Sequence, residues 1–380
     1  MNTDSAGQVP GKKKVIEKEP VRILYDLIGL LMRHEQKAKC KLRMPSNIPA
    51  IYGPATGDDP LVVLEVKNQS DMHCLRMMRD CLHKNILNAR VLMKKDPYLL
   101  VLVEEYTGVL LTYLKTTEPY IPLLAKMSEP RMIPSPKLQR VVSQILAGLF
   151  NLWQHNKYHG NFKLKTTSYL RTVDGNTIVK LTCFKNHQVS GTKSVSHYQA
   201  EDARSFGKGL TEIVEIAKEF NKQGYSLDCI QLEHLAQRLE HVSSGDLYYA
   251  MEEIKTYPFF WTYVETKLFF VSRVPLALDS NFVRAAIEGE QNLCTLPWDI
   301  NSYNGYLQLM INYRKKKNKP PYDFNSRVNY VQFISGLYTH EVELQHPYAD
   351  VDTTVKLSNP RLCVVLFSLL PPAQRPVNED

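Results

Sequence analysis

Downstream of an aromatic knot, Tyr257-Pro258-Phe259-Phe260-Trp261, the chain carries a histidine and a tyrosine in settings where they could do chemistry. His340 ends a segment of helical periodicity, and an imidazole, titrating near neutrality, suits giving or taking a proton. Tyr322 follows a Pro-Pro turn. Before that turn lie Arg314, Lys315, Lys316, Lys317 and Lys319, a cationic run that is either solvated surface or a seat for phosphates. Plainer readings stand beside these: a helix-end histidine interacts with the C-terminal dipole, and a lone tyrosine after Pro-Pro is commonly a packing residue.

The elements that must position these groups are legible in the hydrophobic pattern. Asn325 or Ser326 can cap a helix whose buried stripe is Tyr330, Phe333, Ile334 and Leu337. Far upstream, Met1–Pro20 reads as a mobile tail, Val21–Arg33 as an amphipathic helix and Pro45–Pro60 as loop. Leu61–Val66 is a β-branched run predicting a strand that ends at Lys67, followed by a helix over Met72–Leu82 and two strands within Ala89–Val103. Leu138, Val141, Val142, Ile145, Leu146, Leu149, Phe150 and Trp153 predict a long buried helix. It leads through His159-Gly160-Asn161 to a short strand at Ile178–Leu181, after the Asp174-Gly175 turn signal. Three further helices are predicted around Phe206–Ala217, Leu232–Leu239 and Leu247–Ile254.

At 380 residues the chain can hold two or three domains with a sizeable core. Its 44% hydrophobic and 23% charged residues are those of an ordinary globular protein. No apolar run approaches the ~18 residues that span a bilayer, so no membrane partner is expected. The seven cysteines (40, 74, 81, 183, 229, 294 and 363) form no C-x-x-C pair and are odd in number, which predicts buried thiols in a reducing, cytoplasmic or nuclear setting. The net charge of +8 lies upstream of the knot, because residues 262–380 hold 12 Lys/Arg against 12 Asp/Glu.

A small sheet lobe, a hydrophobic hinge near Val103–Tyr106 and a helical lobe opened by a long buried helix resemble the protein kinase fold. Lys67 matches the strand lysine, His83-Lys84-Asn85-Ile86 the turn after the regulatory helix, and Asp202–Gly207 the start of the central helix of the larger lobe. The catalytic parts depart from the pattern. Asn161 stands for the catalytic aspartate, Thr166 for the downstream asparagine, and Cys183 for the metal-binding aspartate. An amide accepts no proton, and magnesium prefers hard oxygen ligands over thiols. The helix glutamate that would pair with Lys67 falls near His73, so Lys67 fits a nucleotide (ATP or ADP) contact and a solvent-facing strand end equally well.

The aromatic knot followed directly by a helical tail is similar to the kinase-extension nuclease (KEN) family, which includes RNase L and the inositol-requiring ER stress sensor. The resemblance implies an α+β molecule. A two-lobed protein-kinase-like domain over 21–261 (small antiparallel sheet lobe, helical C-lobe) would precede an all-helical KEN ribonuclease-like domain over 262–371 and a tail over 372–380. It implies metal-independent RNA cleavage needing no cofactor, with His340 as the catalytic histidine and Tyr322 as the loop tyrosine. Asn329 takes the place of the helix aspartate, and Ser335-Gly336 that of the Arg-Asn pair on the phosphate. A serine offers no guanidinium fork and a glycine no side chain. Two expectations result: a catalytically impaired regulator that binds RNA through Arg314, Lys315, Lys316, Lys317, Lys319 and Arg327, or pairs as a homodimer or a heterodimer with a KEN-family relative; or an active endoribonuclease on His340 and Tyr322, with Arg327 or a lysine of the run replacing the missing arginine.

Overall fold

A computed structural model describes residues 42–43, 49–53, 61–66, 69–95, 98–104, 106–117, 119–123, 131–172, 174–185, 193–222, 226–298, 306–341, 351, 355, 359 and 361–370. The expected tails at 1–20 and 372–380, the expected helix at Val21–Arg33, and Lys67 lie outside the described residues. Within them the protein is mixed α+β and mostly helical. No described helix is long and apolar enough to cross a membrane.

Strands β1 (Leu42–Arg43), β2 (Pro49–Gly53) and β3 (Leu61–Val66) precede helix α1 (Gln69–Asp80), and β4 (Ala89–Lys95) and β5 (Tyr98–Glu104) follow it. The five strands form one antiparallel sheet in the order β1-β2-β3-β5-β4. The β-branched run of β3 lies inside the sheet, with Leu61 opposite Glu104 and Val66 opposite Leu99. The expected loop at Pro45–Pro60 is corrected at Pro49–Gly53. There Ala50, Ile51 and Tyr52 pair with β3, and the proline sits at the first strand position, where it is tolerated. Helix α1 starts and ends earlier than expected, which leaves Leu82 past its end and 73% exposed.

Strand β6 (Gly108–Val109), helix α2 (Leu110–Thr116), and strands β7 (Tyr120–Leu123) and β8 (Arg131–Pro134) lead into α3 (Pro136–Gln154). Ser135 caps α3, its hydroxyl accepting from Leu138 N at 3.1 Å, with Pro136 at the first turn. The predicted stripe is buried along the whole helix. Strands β9 (Ser168–Arg171) and β10 (Thr177–Lys180) make a hairpin whose turn uses Gly175 at φ 79°. Then follow α4 (Val195–Phe220), β11 (Ser226–Leu227), α5 (Ile230–Glu240) and α6 (Leu247–Lys255). Helices α4 and α5 pack closely at Gly207, where a Cβ would come within 2.7 Å of the Ala236 carbonyl. The small strands form two three-stranded sheets, β10-β9-β6 and β11-β8-β7.

The aromatic knot forms a 3₁₀ turn at Pro258–Phe260. Helix α7 (Tyr263–Leu268) continues as a π-turn at Phe269–Arg273, then α8 (Val274–Leu278), α9 (Asn281–Gly289), α10 (Tyr306–Lys316), α11 (Arg327–Thr339) and α12 (Leu362–Leu369). The knot binds in both directions. Gln139 of α3 donates to Phe259 O at 3.1 Å, and the Tyr257 hydroxyl meets His234 Nδ1 of α5 at 2.6 Å. On the other side the Trp261 ring packs on Phe269 and Phe367, centroids 4.7 and 6.1 Å away, and Tyr257 reaches Phe367 at 5.6 Å. Phe260, within the same knot, is only half-buried. A tight 3₁₀ turn fans consecutive side chains around its axis, and it is Tyr257 and Trp261 that reach the packing on the far side.

Candidate functional site

Helix α11 positions His340 as its C-terminal cap, with His340 N donating to Gly336 O at 3.0 Å. The half-buried imidazole packs against Tyr313 of α10, ring centroids 4.2 Å apart. Just past the end of helix α10, Asn318 adopts the left-handed region at φ 52°, and Lys319 N donates back to Arg314 O at 2.9 Å. This reversal brings Pro320-Pro321-Tyr322 back beside Arg314. The Arg314 Nε donates to Pro320 O at 2.7 Å, and its guanidinium carbon lies 4.2 Å from the Tyr322 ring centroid.

Tyr322 is 5% exposed and wedged against the rings of Trp298 and Phe333, at 6.0 and 5.6 Å. Trp298 in turn holds this loop: its backbone N–H donates to Phe324 O and its indole to Asp323 O. Burial pushes the Tyr322 phenol pKa up, with the Arg314 cation pulling the other way, so the phenol is neutral at physiological pH. A Cβ built on Gly336 would lie 3.4 Å from the Tyr322 hydroxyl oxygen and 2.6 Å from Met310 Cε. Gly336 therefore has a packing reason of its own: it admits Met310 of α10. His340 stands one turn further along the same face of α11. Arg314, Tyr322, Gly336, Tyr313 and His340 are thus gathered in one place, and Lys315, Lys316, Lys317 and Lys319 stand exposed beside them.

The other residues singled out from the sequence fall elsewhere. Asn329 lies eleven residues before His340, about 16 Å along the helix. Its Oδ1 accepts from Asp323 N and its Nδ2 donates to Ser326 Oγ, so it stitches the loop to the helix start. Ser326, of the two expected candidates, is the N-cap. Ser335 is 7% exposed and donates to Phe270 O at 2.7 Å. Phe270 lies in the π-turn, where the donor five residues on would be Pro275, which has no N–H; the serine hydroxyl fills that gap.

Arg327, expected on the cationic surface, belongs instead to the joint between α9 and α11. Its Nη1 donates to Glu288 O at 2.9 Å, and the Glu288 carboxylate accepts from Arg327 N, Val328 N and the Ser326 hydroxyl. Burial disfavours that anion, yet these hydrogen bonds and the guanidinium outweigh it and hold the carboxyl below its usual pKa. Glu341, next to His340, accepts from the Tyr263 hydroxyl and pairs with Lys267 Nζ at 2.9 Å, which ties the end of α11 to α7 just past the knot.

The upstream positions make a closed turn. The Asp202 carboxylate of α4 accepts from His159 N at 2.5 Å and Gly160 N at 2.8 Å. His159 is fully buried, its Nδ1 accepting from Asn161 N, and burial pushes its pKa down to about 3. Burial likewise raises Asp202, to about 7, against the pull of the two N–H bonds. Asn161 Nδ2 donates to Cys183 O at 3.3 Å, and Cys183, at φ 61°, is buried. The Thr166 hydroxyl bonds the carbonyls of Asn161 and Lys163. The turn after α1 is held by Asn85, whose Nδ2 donates to Gln144 Oε1 and Val179 O. Five described cysteines are buried as expected, and Cys294 is half-buried. Among the described residues no group of three or more His, Cys, Asp or Glu is placed to hold a metal ion.

Tyr313, Glu288, Glu341 and the seating of Arg314 on Tyr322 were not foreseen from sequence. The last had a local signal, a cation eight residues before a tyrosine with a Pro-Pro reversal between; the others are contacts between helices. No protein-family model matches the chain, and no curated protein sequence matches it.

Proposed function

We propose that the chain is a pseudokinase fused to a degenerate KEN domain and acts as an RNA-binding regulator. The observation that carries this reading is the cluster of side chains at the ends of α10 and α11. It holds cations and a histidine, yet Ser335 is turned inward and Gly336 presents no side chain where a phosphate-engaging pair would stand. Such a surface holds a phosphodiester electrostatically and lacks the preorganised donors that stabilise a crowded phosphate in the transition state. On the kinase-like side, Asn161 and Thr166 are committed to backbone carbonyls, so kinase activity is not expected. Docking onto a second copy or a catalytically complete relative fits the same reading.

Arg314 favours a second reading. Its guanidinium sits on Tyr322, in the same cluster of side chains as Tyr313 and His340, and could serve as the missing arginine of a weak, metal-independent endoribonuclease.

Incubation of the full chain with a structured RNA hairpin in EDTA separates the two. The regulator reading expects binding without cleavage. Exchanging Lys315, Lys316, Lys317 and Lys319 for glutamate should weaken binding and reduce the salt slope by about 3 for a single strand, since each phosphate neutralised contributes about 0.7. Cleavage that disappears in His340→Ala would replace the regulator with the enzyme.

A further inference from the structure

A cavity of about 420 Å³ opens between the loop at residues 162–165 and α4. Lys163 and Lys165 line it from the loop and Lys208 from the helix, against one carboxylate, Glu212. All four side chains are exposed, and none forms an ion pair with a described residue. Lysines gathered around one cavity repel one another until an anion lies among them, and a concave wall of low dielectric strengthens the field they share.

The frame that carries them is rigid. The Lys163 carbonyl accepts three bonds, from Thr166 N, Thr166 Oγ1 and Thr167 Oγ1, each at 3.0 Å. Phe162 is 2% exposed and packs edge-on to Phe206 of α4, centroids 5.4 Å apart. Gly209 makes this close seating of the loop on the helix feasible, because a Cβ there would already stand 3.3 Å from the Phe162 ring. Ser205, Lys208 and Glu212 recur at spacings of three and four and share one face of α4. A preorganised cationic cavity of this volume suits a small molecule rather than a folded partner.

We infer that this cavity binds a small, phosphate-dense anion, either inorganic polyphosphate or a polyphosphorylated organic molecule. Lys163, Lys165 and Lys208 contact its phosphates and the Ser205 hydroxyl donates to it. The site stands apart from the RNA reading and requires none of Lys315, Lys316, Lys317 or Lys319.

The test is calorimetric titration of the full chain with sodium tripolyphosphate and, separately, inositol hexakisphosphate. Either one binding supports the site, and their ranking separates the inorganic from the organic source. Lys208→Glu is expected to weaken binding at least tenfold, as for loss of a charge-assisted contact. Ser205→Phe, which keeps all three lysines, removes the hydroxyl donor and crowds the cavity beside Lys208, should also weaken binding, whereas Lys316→Glu should change nothing. Unchanged melting of each variant without ligand establishes that it is folded. No binding of either anion to the wild-type chain at millimolar concentration overturns the proposal. So does full binding by Ser205→Phe, which would reduce the lysines to an adsorbing surface, or binding lost only in Lys316→Glu.

Discussion

The turn at His159 and the cluster at His340 each place a histidine beside an aromatic ring and a backbone reversal, and they treat water in opposite ways. His159 is fully buried under Phe184 and Phe162, with Asp202 closing the adjoining N–H groups. His340 is half-buried, with exposed lysines beside it. A dry imidazole held near pKa 3 cannot carry a proton at neutral pH, so the first turn is an internal brace. The second stays open to a ligand. A histidine's chemistry is thus decided less by its sequence neighbours than by what covers it.

The largest effect is expected at the knot that joins the two regions. Trp261 is 5% exposed, and its indole donates to Thr256 O at 2.8 Å. Trp261→Ala should destabilise the chain by about 3–5 kcal/mol. Chemical denaturation followed by fluorescence near each region should show one transition, moved as a whole. Two separate transitions, one unmoved, would break the view that the regions share a core.

The brace is sharpened by its pH dependence. His159 has its pKa depressed on folding, so its contribution is complete above about pH 6.5 and is lost as pH falls. Asp202 has its pKa raised to about 7, so its contribution grows as pH falls below 7 and is lost as pH rises through it. Between pH 7 and 5 each changes by about 2 kcal/mol, in opposite directions, and they nearly cancel. Asp202→Asn removes one partner and should lose about 2 kcal/mol more than the wild type over that interval in urea titrations. Equal slopes would show that Asp202 does not titrate in the fold.

Smaller effects test the open region. Ser335→Ala leaves Phe270 O without its donor and should cost about 1–2 kcal/mol in thermal melts, with RNA binding unchanged. Lost RNA binding at unchanged stability would instead put Ser335 in the site. Glu288→Gln weakens the cap on α11 and should cost about 1 kcal/mol. Because the Glu288 carboxyl pKa is depressed, the wild-type advantage should shrink as pH falls through the carboxylate range.

Much of the fold was legible because it is local. The stripe of α3, the β-branched β3 and the Tyr330, Phe333, Ile334 and Leu337 face of α11 follow from periodicity, which a helix or strand imposes within a few residues. Ser326 was readable as a cap for the same reason. The strand at Pro49–Gly53 was not, since proline and glycine around three apolar residues read as loop until partner strands pair with them on both sides.

The site divides along the same line. By itself the sequence determined the residue types available: a histidine at a helix end, a tyrosine after a reversal, a cationic run, and a serine and glycine in place of larger side chains. Only the tertiary structure decided their work. It put Arg314 on Tyr322, drew Arg327 away to Glu288, and turned Ser335 toward a carbonyl that Pro275 cannot serve. Each decision is a contact between elements far apart in the chain. Its energy comes from desolvation and hydrogen-bond satisfaction, and neither exists until the helices have packed.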